Sequence, residues 1–166
     1  RGETKNLQRG DVLFNEGDKP ESMYVVLSGR IAIAIGNRPL DSRESMLALM
    51  ERGDLFGELG LLDGGARSAM ARAIEPSSVL EIAYKSVREQ LESNPSMLWG
   101  VTKLLAKRLR TMDEVLSDSV FLDVTGRTAK RLLELSNGKD EFVLPITQEE
   151  LAGMVGASRE RVNKAI

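Results

Sequence analysis

The sequence contains no cysteine and no histidine. Without cysteine there are no disulfides, thiolate zinc sites, cysteine nucleophiles or cysteine-held iron–sulfur clusters. Without histidine there is no Ser-His-Asp triad, no histidine-held haem, no usual general base and no ordinary zinc enzyme. No apolar run approaches the roughly 18 residues that span a membrane. No signal peptide, internal repeat or low-complexity segment is visible, and Arg1 reads as an internal start rather than an initiator. Neither sign of charge dominates. The net charge is −2, so any nucleic-acid contact needs a local basic patch. What is present is ordinary globular material: 166 residues, 42% hydrophobic and 29% charged, enough for one domain or a medium one with a small companion.

The chain changes texture near its middle. From Asn6 to about Tyr84, short apolar runs alternate with turn signals at Gly10-Asp11, Gly17-Asp18, Gly29, Gly36-Asn37 and Gly53-Asp54. The runs are Val12–Phe14, Met23–Leu27, Ile31–Ile35, Met46–Met50 and Val79–Ile82. Short strands at such intervals predict an antiparallel sandwich or jelly roll. From Pro95 onward the texture is helical. Asn94 suits a cap and Pro95 a first helical position. Leu98, Val101, Leu105, Met112, Leu116 and Ser119 recur at spacings of 3, 4, 7, 4 and 3, with Arg108 and Leu109 inside the gap, on a helix running to about Val120. Such a stripe packs either on the chain's own sheet or on a second copy, and its length and regularity favour a dimer seam.

Asp123 to Gly126 interrupts the pattern, with Asp123 or Thr125 as cap of a helix over 127–135 that Asn137-Gly138 ends. Residues 142–145 read as short and extended. Thr147-Gln148-Glu149-Glu150 has capping-box spacing. Gly156 stops that helix and Ser158 opens another, Arg159 to Lys164. Helix, glycine-containing turn, helix in about 20 residues is the helix-turn-helix signature.

One segment suggests a phosphate site. Phe56-Gly57-Glu58-Leu59-Gly60-Leu61-Leu62 is followed, after Asp63-Gly64-Gly65-Ala66, by Arg67-Ser68-Ala69. Glycines 57 and 60 would let backbone come close to a ligand, and a short helical turn would aim N–H groups at an anion. Arg67 offers a planar fork for phosphate oxygens, Ser68 a hydroxyl donor, and Glu58 an acceptor for a ribose hydroxyl. The same residues also suit a glycine-rich hairpin with a surface Glu–Arg pair.

The segment resembles the phosphate-binding cassette of cyclic-nucleotide-binding domains. The whole chain resembles the CRP/FNR family of transcription regulators, in its catabolite-activator, cyclic-AMP-receptor branch. The resemblance rests on Gln8–Asp18, the cassette Phe56–Ala69, the stretch Phe121-Leu122-Asp123-Val124-Thr125-Gly126-Arg127, and Val155–Glu160 with Val162. It implies an α+β fold with four parts. These are a cyclic-nucleotide-binding β-roll (jelly roll) over 1–94, a dimerisation helix over 95–120, a hinge over 121–125 and an incomplete winged helix-turn-helix over 126–166. Family members start before Arg1 and continue past Ile166 with the rest of the recognition helix and a β-wing.

Residue by residue, the resemblance implies that Glu58 holds the ribose 2′-hydroxyl. Arg67 and Ser68 would bind the cyclic phosphate, with backbone N–H groups near Gly57 and Leu59. Arg108 would pair with Glu58. Met112 and Asp113 occupy the base-contact positions, where the family usually has Thr followed by Ser or Asn. Asp113 would accept from an adenine amino group, and equally from guanine, so these residues leave the base open. The family implies cAMP as effector ligand and no metal. Members that sense oxygen through an iron–sulfur cluster need cysteine and members that sense gases through haem typically need histidine, and this chain has neither, while its resemblance to the cassette makes the nucleotide branch the natural choice. Arg159, Glu160 and Lys164 would read bases, with Thr147, Ser158 and Arg161 near phosphates. Gln148 stands where relatives often carry a basic phosphate contact.

Residues 126–166 carry seven Lys/Arg (127, 130, 131, 139, 159, 161, 164) against six Asp/Glu, a net of only +1, but Arg159, Arg161 and Lys164 cluster on one short helix. The seam Leu98, Val101, Leu105, Met112, Leu116 would join a homodimer. Nucleotide binding would act through the hinge at Phe121, Leu122 and Asp123 on palindromic promoter DNA. The implied protein is a cytoplasmic, bacterial-type regulator with RNA polymerase as a further partner, no membrane contact and no enzymatic activity. Other readings are a ligand-independent, cGMP- or c-di-GMP-responsive member, a regulatory module of a larger protein, or an enzyme using carboxylates such as Glu58 and Asp63.

Overall fold

The computed structural model describes residues 2–35 and 45–166. The turn expected at Gly36-Asn37 lies outside the described residues. The chain divides into two compact units, Arg1–Glu92 and Ser93–Ile166.

Among the described residues, the first unit holds eight strands, β1 (Glu3–Leu7), β2 (Val12–Phe14), β3 (Ser22–Ser28), β4 (Ile31–Ile35), β5 (Ser45–Met50), β6 (Leu55–Phe56), β7 (Met70–Ala73) and β8 (Ser77–Ala83), with helices α1 (Leu59–Asp63) and α2 (Tyr84–Ser93). They form two four-stranded antiparallel sheets, ordered β1-β8-β3-β6 and β2-β7-β4-β5. Tyr24, Val26, Ile31, Phe56, Ala71, Ala73 and Val79 form the buried core, with Leu13, Phe14, Ile33 and Met50 packed against it. The five runs expected as strands are strands. Three more, β1, β6 and β7, and the helix α2 were not anticipated.

One turn chemistry recurs. In Gln8–Asp11, Asn15–Asp18 and Glu51–Asp54, the Asp carboxylate accepts the backbone N–H three residues earlier at 2.7–2.8 Å. The preceding glycine has positive φ in each case: 94° at Gly10, 86° at Gly17 and 93° at Gly53. Each turn also keeps its own backbone bond, the Asp N–H donating to the carbonyl of that same earlier residue at 2.9–3.3 Å, so the carboxylate adds a second, reciprocal link across the turn, and glycine reaches that φ without strain. These turns fix where β2, β3 and β6 begin.

The second unit holds α3 (Met97–Phe121), α4 (Val124–Ser136), α5 (Gln148–Val155) and α6 (Arg159–Asn163). The long helix starts two residues later than expected, because Asn94 and Pro95 sit in a preceding turn in which Asn94 O accepts from Met97 N at 3.0 Å, and Ser96 is the N-cap. It runs to Phe121, so only Leu122 and Asp123 lie outside helix in the expected hinge. Asp123 caps α4, its Oδ1 accepting from Gly126 N at 2.8 Å, and Asn137 closes that helix at φ 50°. Residues 142–144 form no strand. Ile146, Leu151, Ala152, Val155, Val162 and Thr128 are buried where α4, α5 and α6 meet. Among the described residues no helix is long and apolar enough to cross a membrane.

Candidate functional site

In the first unit the strands β8, β3 and β6 are neighbours, with Ser22 opposite Ala83 and Tyr24 opposite Phe56. Three groups therefore gather at one end of that sheet. Tyr84 follows the last residue of β8, Ser22 opens β3, and Gly57 follows β6. The Tyr84 N–H donates to Glu21 O at 2.9 Å, which fixes the start of α2 beside β3.

The guanidinium of Arg67 lies across these three strand ends. Nη1 donates to Gly57 O at 2.7 Å and to the Tyr84 hydroxyl at 3.2 Å, and Nη2 donates to Ser22 O at 2.7 Å. The Tyr84 hydroxyl itself donates to Gly57 O. One guanidinium face lies 4.0 Å from the Phe14 ring centroid. A buried cation needs such a set of acceptors, and Arg67 is only 8% exposed. Its backbone is pinned as well: Arg67 N donates to Asp18 O at 2.9 Å and Arg67 O accepts from Gly17 N at 2.8 Å.

Glu58 is 2% exposed and is the N-cap residue of α1, to which its side chain gives no capping hydrogen bond. The carboxylate is thus aimed elsewhere than at its own helix. Burial pushes the Tyr84 phenol above its ordinary range, and the Glu58 carboxylate adds to the effect while Arg67 opposes it. The Tyr84 hydroxyl therefore keeps its proton through the physiological range. Ser22 is held in turn, because its hydroxyl donates to Glu81 Oε1 at 2.7 Å, which also accepts from Tyr24 at 2.9 Å, while Lys5 pairs with Oε2 at 2.6 Å.

The expectation that Gly57 and Gly60 make room for a ligand is corrected in its reason. A Cβ on Gly57, at φ 75°, would lie 2.7 Å from Arg67 Nη1, and one on Gly60 would lie 2.3 Å from Pro20 Cγ. Both glycines admit the protein's own side chains. The surface Glu–Arg pair of the hairpin reading fails, since Glu58 and Arg67 are buried. Ser68 and Leu59 are exposed. Asp63 does not join Glu58 in an acid pair but closes the turn after α1, accepting from Gly65 N at 2.8 Å.

Arg108, Met112 and Asp113 lie on α3, in the second unit. Arg108 is half-buried and Asp113 exposed. Met112 is 68% exposed, so it is not core packing within this chain. Leu98, Leu109, Leu116 and Val120 are exposed too, while Val101 and Leu105 are half-buried. At 3.6 residues per turn, Leu98, Leu105, Leu109, Met112, Leu116 and Val120 share one face.

At the other end of the second unit, Thr147 and Glu150 form a reciprocal cap: Thr147 Oγ1 accepts from Glu150 N at 3.2 Å, and Glu150 Oε2 accepts from Thr147 N at 2.7 Å. The Thr147 hydroxyl also donates to that carboxylate at 2.9 Å. Its proton is therefore engaged within the cap. Ser158 Oγ accepts from Arg161 N at 3.4 Å and keeps its own proton for another acceptor. Val162 is the buried residue of α6, so Glu160 and Lys164 point oppositely, flanked by Arg159 and Arg161, and all four are exposed with Gln148 and Ser158.

Arg127 was counted in the sequence only as charge. Its Nε donates to Val155 O at 3.0 Å and its Nη1 to Leu122 O at 2.8 Å, tying the hinge to the C-terminus of α5. Lys130 pairs with Asp118 at 2.6 Å across the same hinge, and Arg131 pairs with Glu134 at 2.6 Å. The cations of α4 are thus engaged within the chain, Lys130 and Arg131 by carboxylates and Arg127 by backbone carbonyls. Among the described residues Arg159, Arg161 and Lys164 enter no ion pair.

Buried Glu58 and Arg67 on one cassette, and an exposed basic helix after a capped one, define a nucleotide-sensing module joined to a helix-turn-helix reader. The family models agree. Residues 4–94 match the cyclic nucleotide-binding domain, and residues 126–166 match the Crp-like helix-turn-helix domain. The chain belongs to the CRP/FNR family of cyclic-nucleotide-responsive, DNA-binding transcription regulators. It is 37% identical to a CRP-like cAMP-activated global transcriptional regulator of Mycobacterium tuberculosis, over 98% of this chain and 77% of that one. It is 36% identical to the cAMP-activated global transcriptional regulator CRP of Pasteurella multocida, over 93% of this chain and 76% of the relative. Among solved structures, the c-di-GMP responsive global regulator CLP of Xanthomonas campestris matches with a TM-score of 0.83 at 27% identity, over 99% of this chain and 84% of that one. The catabolite activator protein of Thermus thermophilus matches at 0.63 and 32% identity, over 99% and 76%.

Proposed function

We propose that cyclic AMP is the effector, held through its cyclic phosphate by Arg67 and Ser68 with backbone N–H groups at Gly57 and Leu59, and through its ribose by Glu58. The carrying observation is that one cassette of a cyclic-nucleotide-binding domain buries both a cation and a carboxylate, at 8% and 2% exposure. A monoanionic diester with a ribose hydroxyl supplies the matching anion and donor. Arg108, Met112 and Asp113 enter as nucleotide contacts by family resemblance. The relatives named for cAMP activation support this choice of nucleotide.

The protein acts as a homodimer through Leu98, Val101, Leu105, Met112 and Leu116. A 25-residue helix with no buried residue supports this, because a continuous apolar face of that length is not left in water. The dimer binds palindromic promoter DNA with half-sites about one helical turn apart, Arg159, Glu160 and Lys164 facing bases. Thr147 sits beside the phosphates through its backbone, and Gln148, Ser158 and Arg161 through side chains. The division is 1–94 sensing, 95–120 pairing, 121–125 hinge and 126–166 reading. The bound complex acts on RNA polymerase in the cytoplasm. The protein transmits a signal and turns over no substrate.

Fluorescence anisotropy on a labelled palindromic duplex, with and without cyclic AMP, tests the coupling. Affinity for DNA is expected to rise about 5- to 150-fold with nucleotide. Equal affinity in both conditions would refute nucleotide control, and a rise with cyclic di-GMP alone would reassign the effector.

A further inference from the structure

Arg67 carries five N–H donors. Three are engaged: two on Nη1, by Gly57 O and the Tyr84 hydroxyl, and one on Nη2, by Ser22 O. The donors left for an anion are Nε–H and the second Nη2–H, which suffice for two phosphate oxygens. Which donors remain depends on which are taken. Ser22 is fixed by its pairing with Ala83, and Gly57 directly follows β6. Phe14 stacks on the guanidinium face and sets its plane, and the two carbonyls set its orientation within that plane. Tyr84 is the one side chain in the set, and its hydroxyl touches two members, accepting from Arg67 and donating to Gly57 O.

We propose that Tyr84 is the positioning residue for the effector's phosphate: its hydroxyl occupies the second N–H of Arg67 Nη1 and braces the Gly57 carbonyl beside it, and so leaves the Nε–Nη2 edge to meet the nucleotide. This rests on the assignment of a cyclic nucleotide to the Glu58–Arg67 site. Tyr84 makes no contact with the phosphate itself. Its raised pKa keeps the proton that Gly57 O receives, so the brace holds across physiological pH.

Tyr84→Phe removes one oxygen and is tested in two ways. In the nucleotide-free protein, ¹⁵N spectra of the Arg67 guanidinium, assigned with Arg67→Lys, are expected to show slowly rotating, separate Nη signals. In Tyr84→Phe the Nη1 signal shifts and its protons exchange faster, while Nη2, still bonded to Ser22 O, keeps its position. By calorimetry, the variant is expected to bind cyclic AMP about tenfold more weakly, the size of one lost hydrogen bond to a charged group. It also changes the affinity ratio between the Rp and Sp phosphorothioates of cyclic AMP, since that ratio reports which oxygen the guanidinium faces. Tyr84→Gln, which can accept and donate at similar reach, restores the ratio toward wild type. A merely structural role would lower stability and leave the ratio alone. An unchanged Nη1 signal, or an unchanged ratio with wild-type affinity, overturns the proposal while the functional reading stands. A wild-type chain that binds no cyclic nucleotide overturns the functional reading instead, and this inference with it.

Discussion

Arg67 holds its own fold together and, in the proposed function, also holds the effector's phosphate, and variants at this position separate the two. It ties the start of β3, the end of β6 and the start of α2 through three protein acceptors, and two of its donors are left for the proposed anion. Arg67→Ala would lose both functions together. Arg67→Lys keeps the charge without the fork, so nucleotide affinity is expected to fall more than tenfold in a titration while the fold persists at reduced stability. Gly57→Ala forces a side chain into positive φ and against Nη1, and is expected to cost about 1–3 kcal/mol in urea unfolding. The resemblance to a phosphate cassette made Glu58 and Arg67 legible in the sequence. Tyr84 and Phe14 were not, because nothing local to an aromatic residue says that a distant arginine will settle on it.

Two carboxylates set the acid behaviour at this scale. Glu75 is held below its usual range by the Arg30 hydrogen bonds, against some burial. For Glu81, burial works upward, but the hydrogen bonds from Lys5, Ser22 and Tyr24 outweigh it and the net shift is downward. A lowered folded pKa adds stability that is present above the unfolded value of about 4.3–4.5 and lost as pH falls through the folded value. Urea midpoints are therefore expected to drop steeply below about pH 4.5, and Glu75→Gln with Glu81→Gln to flatten that drop. An unchanged slope in the double variant would remove these two residues from the acid response.

Among the elements, legibility followed local signal strength. The three Gly-Asp turns, the Thr147–Glu150 cap and the Gly156 stop lie wholly within a few residues, and each is found where the sequence puts it. The strand β1 reads Glu-Thr-Lys-Asn-Leu and owes its form to pairing with β8 rather than to apolar alternation. The strand β7, Met-Ala-Arg-Ala, lacks β-branched residues and is buried between β2 and β4. Tertiary pairing wrote both, so no periodicity displayed them. The cap itself is testable: Glu150→Ala removes the reciprocal hydrogen bond and should lower stability by about 1 kcal/mol. On α3 the apolar face is the element's main property. Leu116, 64% exposed in its C-terminal part, should tolerate Glu within a monomer but not within a paired seam. Sedimentation is expected to show a dimer for wild type and a monomer for Leu116→Glu, and a monomeric wild type would contradict the pairing.

At the scale of the whole molecule the charge is −2, yet the reader must find a polyanion. The structure resolves this by disposing of the wrong cations. Arg127, Lys130 and Arg131 are engaged around Leu122 and on α4, which leaves Lys139 and, clustered at α6, Arg159, Arg161 and Lys164 outward. The sequence tally of +1 could not make that division, because it counts charges without their partners. The same contacts brace the connection at Leu122 and Asp123, so in the proposed function a nucleotide signal reaching α3 has to work against Arg127 and the Lys130–Asp118 pair. In that reading the signal begins with a nucleotide entering the cassette. The most direct measurement is calorimetric titration of cyclic AMP into the wild-type chain and into Arg67→Lys. The account predicts saturable binding of one nucleotide per chain in the first, weakened more than tenfold in the second. No saturable heat in wild type, or equal affinity in both, would contradict it.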